Sequence, residues 1–320
     1  MTRLTIGTRG SDLALWQART VAAALRRTGH ECELAVIRTT GDRLATADLS
    51  QVGGKQVFVK EIQQALLGGE IDLAVHSAKD MPAELPDGLR IAGVLPREDP
   101  RDAAVLPAGR PAPAGALAAL AAAAGDTPRV GSGSVRRVAQ LRRVWPRATF
   151  DLIRGNVGTR LGQLDGGAYD LLILAAAGLR RLGLADRIST AIDPDICLPA
   201  PGQGIVAMET RADDPETAAA VAAIDDPTTA AALEAERAVL TALGGGCQVP
   251  LGAYAEVRGR SVHLRALVAS PDGGRLVRRT ATGAVGAARA LGDEVARGLL
   301  DDGAREILAA AGQPGPGNGG

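Results

Sequence analysis

The first part of the chain alternates between short apolar runs and longer segments with helical spacing. Leu4 to Gly7 predicts a strand, and about Leu13 to Arg27 predicts a helix that Asp12 caps and Gly29 stops. By the same criteria, strands are predicted at 33–39, 71–76 and 89–94, and a second helix at 58–67. Strands that alternate with helices are typical of an α/β domain with a mostly parallel sheet.

A second series of strands and helices follows a segment, 96–113, that is rich in proline, arginine and aspartate. The pattern predicts helices at 114–124, 135–144 and 156–165 and strands at 129–131, 149–153 and 171–175. A second crossing at 198–204 then precedes an apolar run, 205–209, which we expect to return as a strand to the first domain. Two α/β domains joined by two crossings enclose a cleft, where ligands commonly bind.

The last part of the chain has a different pattern. A helix is predicted at 228–243, an antiparallel meander at 254–257, 262–269 and 276–280, and further helices within 283–310. The predicted domains are residues 1–97 with 203–222, residues 103–198, and a smaller α+β domain at 227–311. Glycine and proline in 312–320 predict a disordered tail.

Composition limits the classes of function. With 46% hydrophobic residues, the 320-residue chain can fill the cores of two or three domains, but aromatic residues make up only 2%. No stretch approaches the roughly 20 apolar residues of a membrane span, and the N-terminus lacks a leader pattern, so a cytoplasmic protein without membrane contact is expected. The three cysteines and three histidines lie far apart and form no metal-binding motif.

The net charge of zero conceals a strong separation of charge along the chain. Residues 129–181 contain ten arginines and three acidic residues, whereas 186–237 contain eleven acidic residues and three arginines. Charge runs are usually solvated surface, but these arginines fall at predicted helix starts and in loops. The basic region therefore predicts a site for a ligand with several carboxylates or phosphates.

Two segments of the basic region place arginines directly after a predicted strand. Val130 to Arg137 combines glycines, serines and two arginines where a strand turns into a helix, and such a turn binds anions through amides, hydroxyls and guanidinium groups. Arg154 to Arg160 repeats the arrangement after the next strand, and Arg9 and Ser11 occupy the equivalent turn of the first domain. The first segment matches neither a dinucleotide-binding nor a P-loop motif. The alternative for it is a tight turn with arginines on the surface.

Asp80 and Cys247 are the candidates for chemistry. Asp80 follows an apolar strand, and at the strand's carboxyl end it could move protons or stabilise a developing cation; a surface pair with Lys79 is the alternative. Cys247 follows three glycines, so its thiol has room for a bulky group; a small buried hydrophobe in a turn is the alternative. The glycine-rich segment 40–55 is interpreted as a mobile loop or lid.

In this order the motifs resemble one family, hydroxymethylbilane synthase, also called porphobilinogen deaminase. The matching stretches span almost the whole chain. They are Thr8–Ser11 with Leu13–Ala18, Val52–Lys55 with Phe58–Glu61, Ala74–Asp80, Arg97–Asp102, Arg154–Leu161, Ala177–Gly183 and Gly245–Pro250. The chain departs from the family's usual pattern at Asp12, Gln56, Gly133 and Pro201, and none of these carries a role in the reaction.

The resemblance implies two periplasmic-binding-protein-like α/β domains and a smaller C-terminal α+β domain with an antiparallel sheet. It implies that four porphobilinogen molecules condense head to tail with release of ammonia at each step, and that hydrolysis then releases hydroxymethylbilane. Each pyrrole carries an acetate and a propionate, so the growing chain is a polyanion of the kind that the arginines predict. A dipyrromethane cofactor, held by Cys247 through a thioether, would prime each round of synthesis. A cytoplasmic monomer that binds neither nucleic acid nor metal is expected.

The family's functional residues carry over by matching position. Asp80 would be the catalytic carboxylate and Cys247 the covalent attachment site. The residues implied to bind the cofactor are Lys79, Asp80, Ser134, Arg136, Arg137, Arg154, Gly155 and Arg160. Those implied to bind the substrate are Arg9, Ser11, Gln17, Arg154, Arg160 and Arg181. Lys55 and Phe58 belong to the loop that would cover the site.

Two other classes of function remain open on the residues alone. A two-domain α/β chain with an anion-binding cleft is also typical of a solute-binding protein or of a regulator's effector domain, although the chain shows neither a leader nor a helix-turn-helix extension, and an exposed cysteine has no role there. A nucleic-acid binder would use residues 129–181, but interleaved aromatic residues are scarce and the net charge is zero. Salt-sensitive retention on DNA would support that alternative.

Overall fold

Three β-sheets organise the residues that the computed structural model describes, which are 3–39, 59–112, 117–244 and 250–311. Two sheets have five strands each, and the third has three. The strands are β1 (Arg3–Thr8), β2 (Glu31–Val36), β3 (Leu73–Ser77), β4 (Leu89–Val94), β5 (Asp102–Val105), β6 (Arg129–Gly131), β7 (Thr149–Asp151), β8 (Leu171–Ala175), β9 (Thr190–Ala191), β10 (Val206–Arg211), β11 (Leu251–Arg258), β12 (Ser261–Ala269) and β13 (Leu276–Ala284). The helices are α1 (Asp12–Arg27), α2 (Lys60–Leu67), α3 (Leu117–Ala124), α4 (Val135–Leu141), α5 (Val157–Asp165), α6 (Ala176–Arg181), α7 (Pro215–Ala222), α8 (Pro227–Ala242), α9 (Ala288–Leu299) and α10 (Arg305–Ala311).

The first sheet has the strand order β2-β1-β3-β10-β4 and is covered by helices on both faces. Leu73 and Val75 of β3 pack in the core that includes α1, whereas Ala74 packs with α2, as expected for side chains that alternate along a strand. Strand β10 confirms the predicted return at 205–209. It runs antiparallel to β3 and β4, whereas the other four strands share one direction, so the sheet is mostly parallel, as predicted, with one reversed strand.

The second sheet has the order β7-β6-β8-β5-β9. Strand β8 supplies Ile173 to the core with α3 and α4, and Leu172 to the core with α5 and α6. Strand β5 lies within residues 96–113, which were predicted only as a crossing. Its four residues are too short for a visible period, and its first residue is an aspartate, so the pattern gave no strand signal.

The third sheet, β11-β12-β13, is antiparallel and packs against α8 and α9. The meander is confirmed, with strands that extend beyond the predicted ends. Helix α7 was not predicted because its alanine-rich sequence has no clear apolar stripe. The predicted fold class, two α/β domains joined by two crossings plus a smaller C-terminal α+β domain, is confirmed. The exact domain boundaries stay predictions.

Candidate functional site

Asp80 lies in a single helical turn, Ala78–Asp80, at the carboxyl end of β3. Strands β1 and β3 are parallel neighbours, so Arg9 and the Asp80 turn leave the same edge of the first sheet. Gln17 is buried on α1 and donates a hydrogen bond from Nε2 to Ser77 Oγ at 2.7 Å, directly before the turn. The first domain thus brings three of the predicted site residues to one sheet edge.

The second crossing packs against the back of the Asp80 turn. The Ala78 amide donates to Ile205 O at 3.0 Å. Gly202 has φ of 72°, and a Cβ at this position would lie 2.9 Å from Ala78 Cβ and 3.0 Å from Lys79 N. Only glycine fits such an approach with such a backbone angle. The crossing, which includes Pro201, therefore fixes the position of Lys79 and Asp80.

The sheet edge that carries Asp80 is one wall of the candidate site. The two arginine-containing turns of the second sheet form the opposing wall. Ser134 caps α4 by accepting from the Arg137 amide, and Asn156 caps α5. Arg160 donates from Nε to Gly155 O at 2.8 Å, and its guanidinium nitrogens lie beside Gly133, 3.6 and 3.8 Å from where a Cβ would stand. The two turns therefore meet at one sheet edge, as the sequence predicts.

Electrostatic interactions connect the two walls. Burial lowers the pKa of Arg160, the neighbouring positive charge of Arg137 lowers it further, and the carboxylate of Asp80 opposes both effects. Asp80 thus lies close enough to act on a guanidinium of the other domain. A buried guanidinium that is also repelled by another cation favours an anion as its partner.

Arg136 and Arg137 are not surface arginines, which was the alternative interpretation of their turn. They are only 4% and 6% exposed, because both side chains run beneath α4 to Asp102 on β5. Arg136 Nη1 lies 2.7 Å from Asp102 Oδ2, and Arg137 Nε lies 2.9 Å from Asp102 Oδ1. Asp102 therefore orients two of the four arginines that were predicted to bind the cofactor.

Asp102 is the centre of a buried polar cluster. Burial alone would raise the pKa of this carboxyl, but the two guanidinium groups outweigh burial and hold the pKa well below its usual range. Gln203 Nε2 donates to Asp102 Oδ1 at 2.8 Å. Burial and the adjacent carboxylate raise the pKa of the Cys197 thiol to about 12, so the thiol stays protonated and donates to Asp102 at 3.4 Å.

A second buried carboxylate, Glu236 on α8, joins both crossings to the C-terminal domain. It accepts from Arg97 Nη1 at 2.6 Å, from the Gly202 amide at 2.6 Å and from the Ala255 amide at 2.7 Å. Arg97 Nε in turn donates to Gln203 O at 2.9 Å. A continuous set of hydrogen bonds thus connects the Asp102 cluster to Glu236.

Three other arginines of the basic region pair with acidic residues other than Asp80. Arg129 pairs with Asp170, Arg147 with Asp126 and Arg180 with Asp99, at the protein surface or close to it. For these three, the interpretation as solvated surface charge is the correct one.

Arg181 lies apart from the two walls. It donates to Gly204 O at 2.7 Å and stacks over Trp16 with 5.4 Å to the ring centre. Burial lowers its pKa to about 10, against an opposing effect from Glu98. An open groove of about 740 Å³ between α1 and α6 includes Arg181 and Trp16, and Asp80 is not among the described residues that line it.

The structure therefore brings together Gln17, Lys79, Asp80, Arg137, Arg160 and the turns that carry Ser134 and Gly155. Ser11 caps α1 by accepting from the Ala14 amide, so the prediction that Asp12 is the cap was wrong. Arg9 and Arg154 lie half-buried after β1 and β7. Cys247, Lys55, Phe58 and Gln56 lie outside the described residues.

Sequence reasoning missed the residues that support the site, namely Asp102, Gly202, Gln203, Glu236 and Arg97. The acids and the amide among them carried a signal in the sequence, because a buried acid or amide at a crossing needs hydrogen-bond partners. The sequence alone did not indicate which residues those partners are.

The residues present fit a dipyrromethane that bears acetate and propionate groups. Guanidinium groups, serine hydroxyls and helix-start amides are the donors that carboxylates prefer. Asp80 places a single negative charge among them, which suits the N–H groups of pyrrole rings. Within the described ranges, no three His, Cys, Asp or Glu side chains are grouped so as to hold a metal ion, and no helix is long and apolar enough to cross a membrane.

Two family models match the chain. The first, described as "Porphobilinogen deaminase, dipyromethane cofactor binding domain", matches residues 4–219. The second, described as "Porphobilinogen deaminase, C-terminal domain", matches residues 230–301. Together they span both α/β domains and most of the third.

Solved structures resemble the chain more distantly. The methionine-binding protein MetQ is 14% identical, with 69% of this chain and 88% of that chain covered and a TM-score of 0.42. Substrate-binding domain 2 of GlnP from Lactococcus lactis, in an open conformation, is 11% identical, with coverage of 68% and 86% and a TM-score of 0.43. YhfZ from Shigella flexneri is 17% identical, with coverage of 75% and 95% and a TM-score of 0.35. At these scores the likeness carries no conclusion about ligand or activity.

Proposed function

Because the chain belongs to the porphobilinogen deaminase family, whose members are transferases of tetrapyrrole synthesis, we propose that it joins four porphobilinogen molecules head to tail and releases hydroxymethylbilane. The observation that carries the proposal is the position of Asp80, one carboxylate opposite an arginine-lined wall. Each condensation expels ammonia from the aminomethyl carbon of porphobilinogen, and positive charge develops on the ring that loses it. A carboxylate held in place beforehand stabilises that charge without reorganisation.

The arginines and their turns bind and orient the carboxylates of substrate and cofactor in this proposal. Arg160 and Arg154 supply guanidinium forks beside the helix starts of the second domain, and Arg9 supplies one from the first. Asp102 accepts from Arg136 and Arg137 and so holds both guanidinium groups in fixed directions. Because acetate and propionate groups are anchored on both walls, the reacting carbon is placed near Asp80.

Asp80 supplies the negative charge in this proposal. Its carboxylate accepts a hydrogen bond from a pyrrole N–H while the C–N bond breaks and ammonia leaves, and the new C–C bond then forms with loss of the proton from the free pyrrole carbon. Gln17 and Gly202 restrict the movement of the turn that carries it. Cys247 is proposed to hold the dipyrromethane through a thioether, and the bound group supplies the free pyrrole carbon to which the first substrate is joined.

The remaining parts of the proposal rest on the resemblance. Lys79, Ser134 and Gly155 are proposed cofactor ligands, Ser11 and Arg181 substrate ligands, and Lys55 and Phe58 parts of the covering loop. A cytoplasmic location and a monomeric state are proposed for the same reason.

The function is tested by incubating the purified protein with porphobilinogen and measuring ammonia and linear tetrapyrrole. We expect ammonia release with about four ammonia molecules per tetrapyrrole, as the stoichiometry of the proposed condensation requires. Binding of porphobilinogen without ammonia release would contradict the proposal and favour a solute-binding protein.

A further inference from the structure

We propose that Arg237, on α8, is a positioning residue for Asp80: it fastens the segment after the Asp80 turn to the helix that leads towards Cys247. The inference rests on the function proposed above. It adds a role for a residue of the C-terminal domain that touches neither wall of the site.

The contacts of Arg237 are directed at backbone atoms. Its Nη2 donates to Pro82 O at 3.0 Å and to Ala83 O at 2.8 Å. Thr241, one turn further along α8 on the same side, donates from Oγ1 to Ala83 O at 3.2 Å. Pro82 and Ala83 follow Asp80 and Met81 directly, so these three hydrogen bonds hold the chain immediately beyond the turn.

The residue before Arg237 holds the other flank of the same turn. Glu236 accepts from the Gly202 amide at 2.6 Å, and Gly202 is in close contact with Ala78 and the Lys79 amide. Successive side chains of a helix point about 100° apart. Consecutive residues of α8 therefore fasten the crossing behind the Asp80 turn and the segment that follows the turn.

The buried guanidinium of Arg237 lowers the stability of the folded protein at this interface. Burial lowers its pKa, an effect that Glu209 opposes, and Nη1 is buried with no hydrogen-bond partner within the described ranges. A buried cation without full compensation costs stability, and an apolar side chain would pack here without that cost. Charge-assisted hydrogen bonds to two consecutive carbonyls fix a backbone segment more firmly than apolar contacts would.

Glu209 extends the same connection to the strand before the turn. It is fully buried on β10, accepts from Gln63 Nε2 at 2.9 Å and contacts His76 Nε2 at 3.0 Å. His76 lies on β3, which ends at Ser77. The charge of Arg237 is thus coupled to the strand that carries Asp80 as well as to the segment that follows it.

The position of α8 along the chain gives these contacts a consequence for the reaction. The helix ends at Ala242, shortly before Cys247 in the sequence. Residues that fasten the Asp80 segment to α8 therefore set the carboxylate relative to the end of the helix that precedes the attachment cysteine in the sequence. Small displacements of a catalytic group reduce rates strongly even where binding persists.

The test compares Arg237→Met, Arg237→Lys and Thr241→Val with the exposed α8 variant Glu234→Gln as control. For each we would measure kcat and KM, the intact mass, and hydrogen exchange in residues 78–88. We expect Arg237→Met to lower kcat by about 10- to 100-fold with KM little changed and the cofactor mass retained. Exchange in 78–88 should become faster, while β11 to β13 stay protected.

Arg237→Lys should recover part of the lost rate, because its Nζ can donate to the same carbonyls. Thr241→Val removes one donor at nearly constant volume and should change kcat and the exchange in 78–88 in the same direction but by less. If Arg237→Met does not fold, the result for Thr241→Val decides whether the proposal stands. Unchanged kcat, or exchange that rises equally in β11 to β13, would overturn the proposal. The exchange measurement needs no turnover, so a wild-type protein that releases no ammonia would count against the proposed function alone.

Discussion

At the scale of single residues, the proposed function gives Asp80 a role that its neighbours cannot replace. It is the carboxylate that acts on Arg160, and the turn that carries it is held by Gln17, Gly202 and the Ile205 carbonyl. The surrounding arginines attract the carboxylates of ligands, whereas the proposed reaction needs one negative charge where positive charge develops. Both the number of carboxylates that the protein places in the site and their positions therefore matter for the reaction.

Asp80→Asn tests this role. The amide keeps the shape of the side chain but cannot neutralise a developing cation, so we expect turnover to fall by about 10²-fold or more. The fold and the cofactor mass should be retained, which circular dichroism and intact-mass measurement would check. Turnover close to that of the wild type would remove Asp80 from the proposed role.

Gly202→Ala tests the packing behind Asp80. The added Cβ would lie closer to Ala78 Cβ and Lys79 N than van der Waals contact allows, and φ of 72° is strained for alanine. We expect a loss of about 1–3 kcal/mol in the free energy of unfolding, measured with urea, together with reduced turnover. Gly167→Ala, which also has positive φ but open space around its Cβ, is the control and should leave turnover unchanged.

Residue types and their order were sufficient to predict part of the set of side chains that the fold brings close together. Asp80, Gln17 and Arg160 were all identified from motifs, and the structure brings them to facing sheet edges. The orientation of Arg136 and Arg137 was not predictable in the same way. It depends on Asp102, which lies on a strand that the sequence pattern did not reveal.

At the scale of elements, strand β5 connects the second sheet to the first crossing. Its first residue, Asp102, holds the start of α4 through two guanidinium groups and holds Gln203 of the second crossing. Helix α4 is short, so its own hydrogen bonds cannot fix its position. The buried ion pairs under it decide where the Ser134 turn lies.

Asp102→Asn should therefore be strongly destabilising. The variant leaves two buried guanidinium groups without a compensating charge, and we expect the free energy of unfolding to fall by about 3–5 kcal/mol. The exposed pair Arg147–Asp126 provides the control, because Asp126→Asn should cost less than about 1 kcal/mol. Equal losses in the two variants would contradict the role of Asp102.

The same carboxylate predicts a pH dependence of stability. Its pKa is depressed in the folded protein, so its contribution is fully present above the unfolded pKa of about 3.9 and is lost as pH falls towards the folded pKa. Urea unfolding between about pH 3 and pH 7 should show stability falling below about pH 5 in the wild type. In Asp102→Asn the fall should be shallower, and an identical slope in both proteins would count against this assignment.

At the scale of the whole molecule, buried polar contacts join the second and third sheets and reach the crossing behind Asp80. They run from Asp102 on β5 through Gln203 and Arg97 to Glu236, and from there to the Ala255 amide on β11 and the Gly202 amide behind Asp80. Each domain has its own apolar core, so the hydrophobic pattern was enough to predict the fold class. The pattern could not predict this polar junction, because its members lie far apart in sequence and each is a single polar residue.

The central claim is that the chain elongates a pyrrole primer held on Cys247. Intact-mass measurement of the wild type, before and after porphobilinogen is added, tests it most directly. We predict a mass above that of the sequence by one dipyrromethane, followed by species that are heavier by successive pyrrole units, and neither in Cys247→Ser. A wild-type protein that keeps the bare sequence mass both before and after porphobilinogen is added would contradict the account.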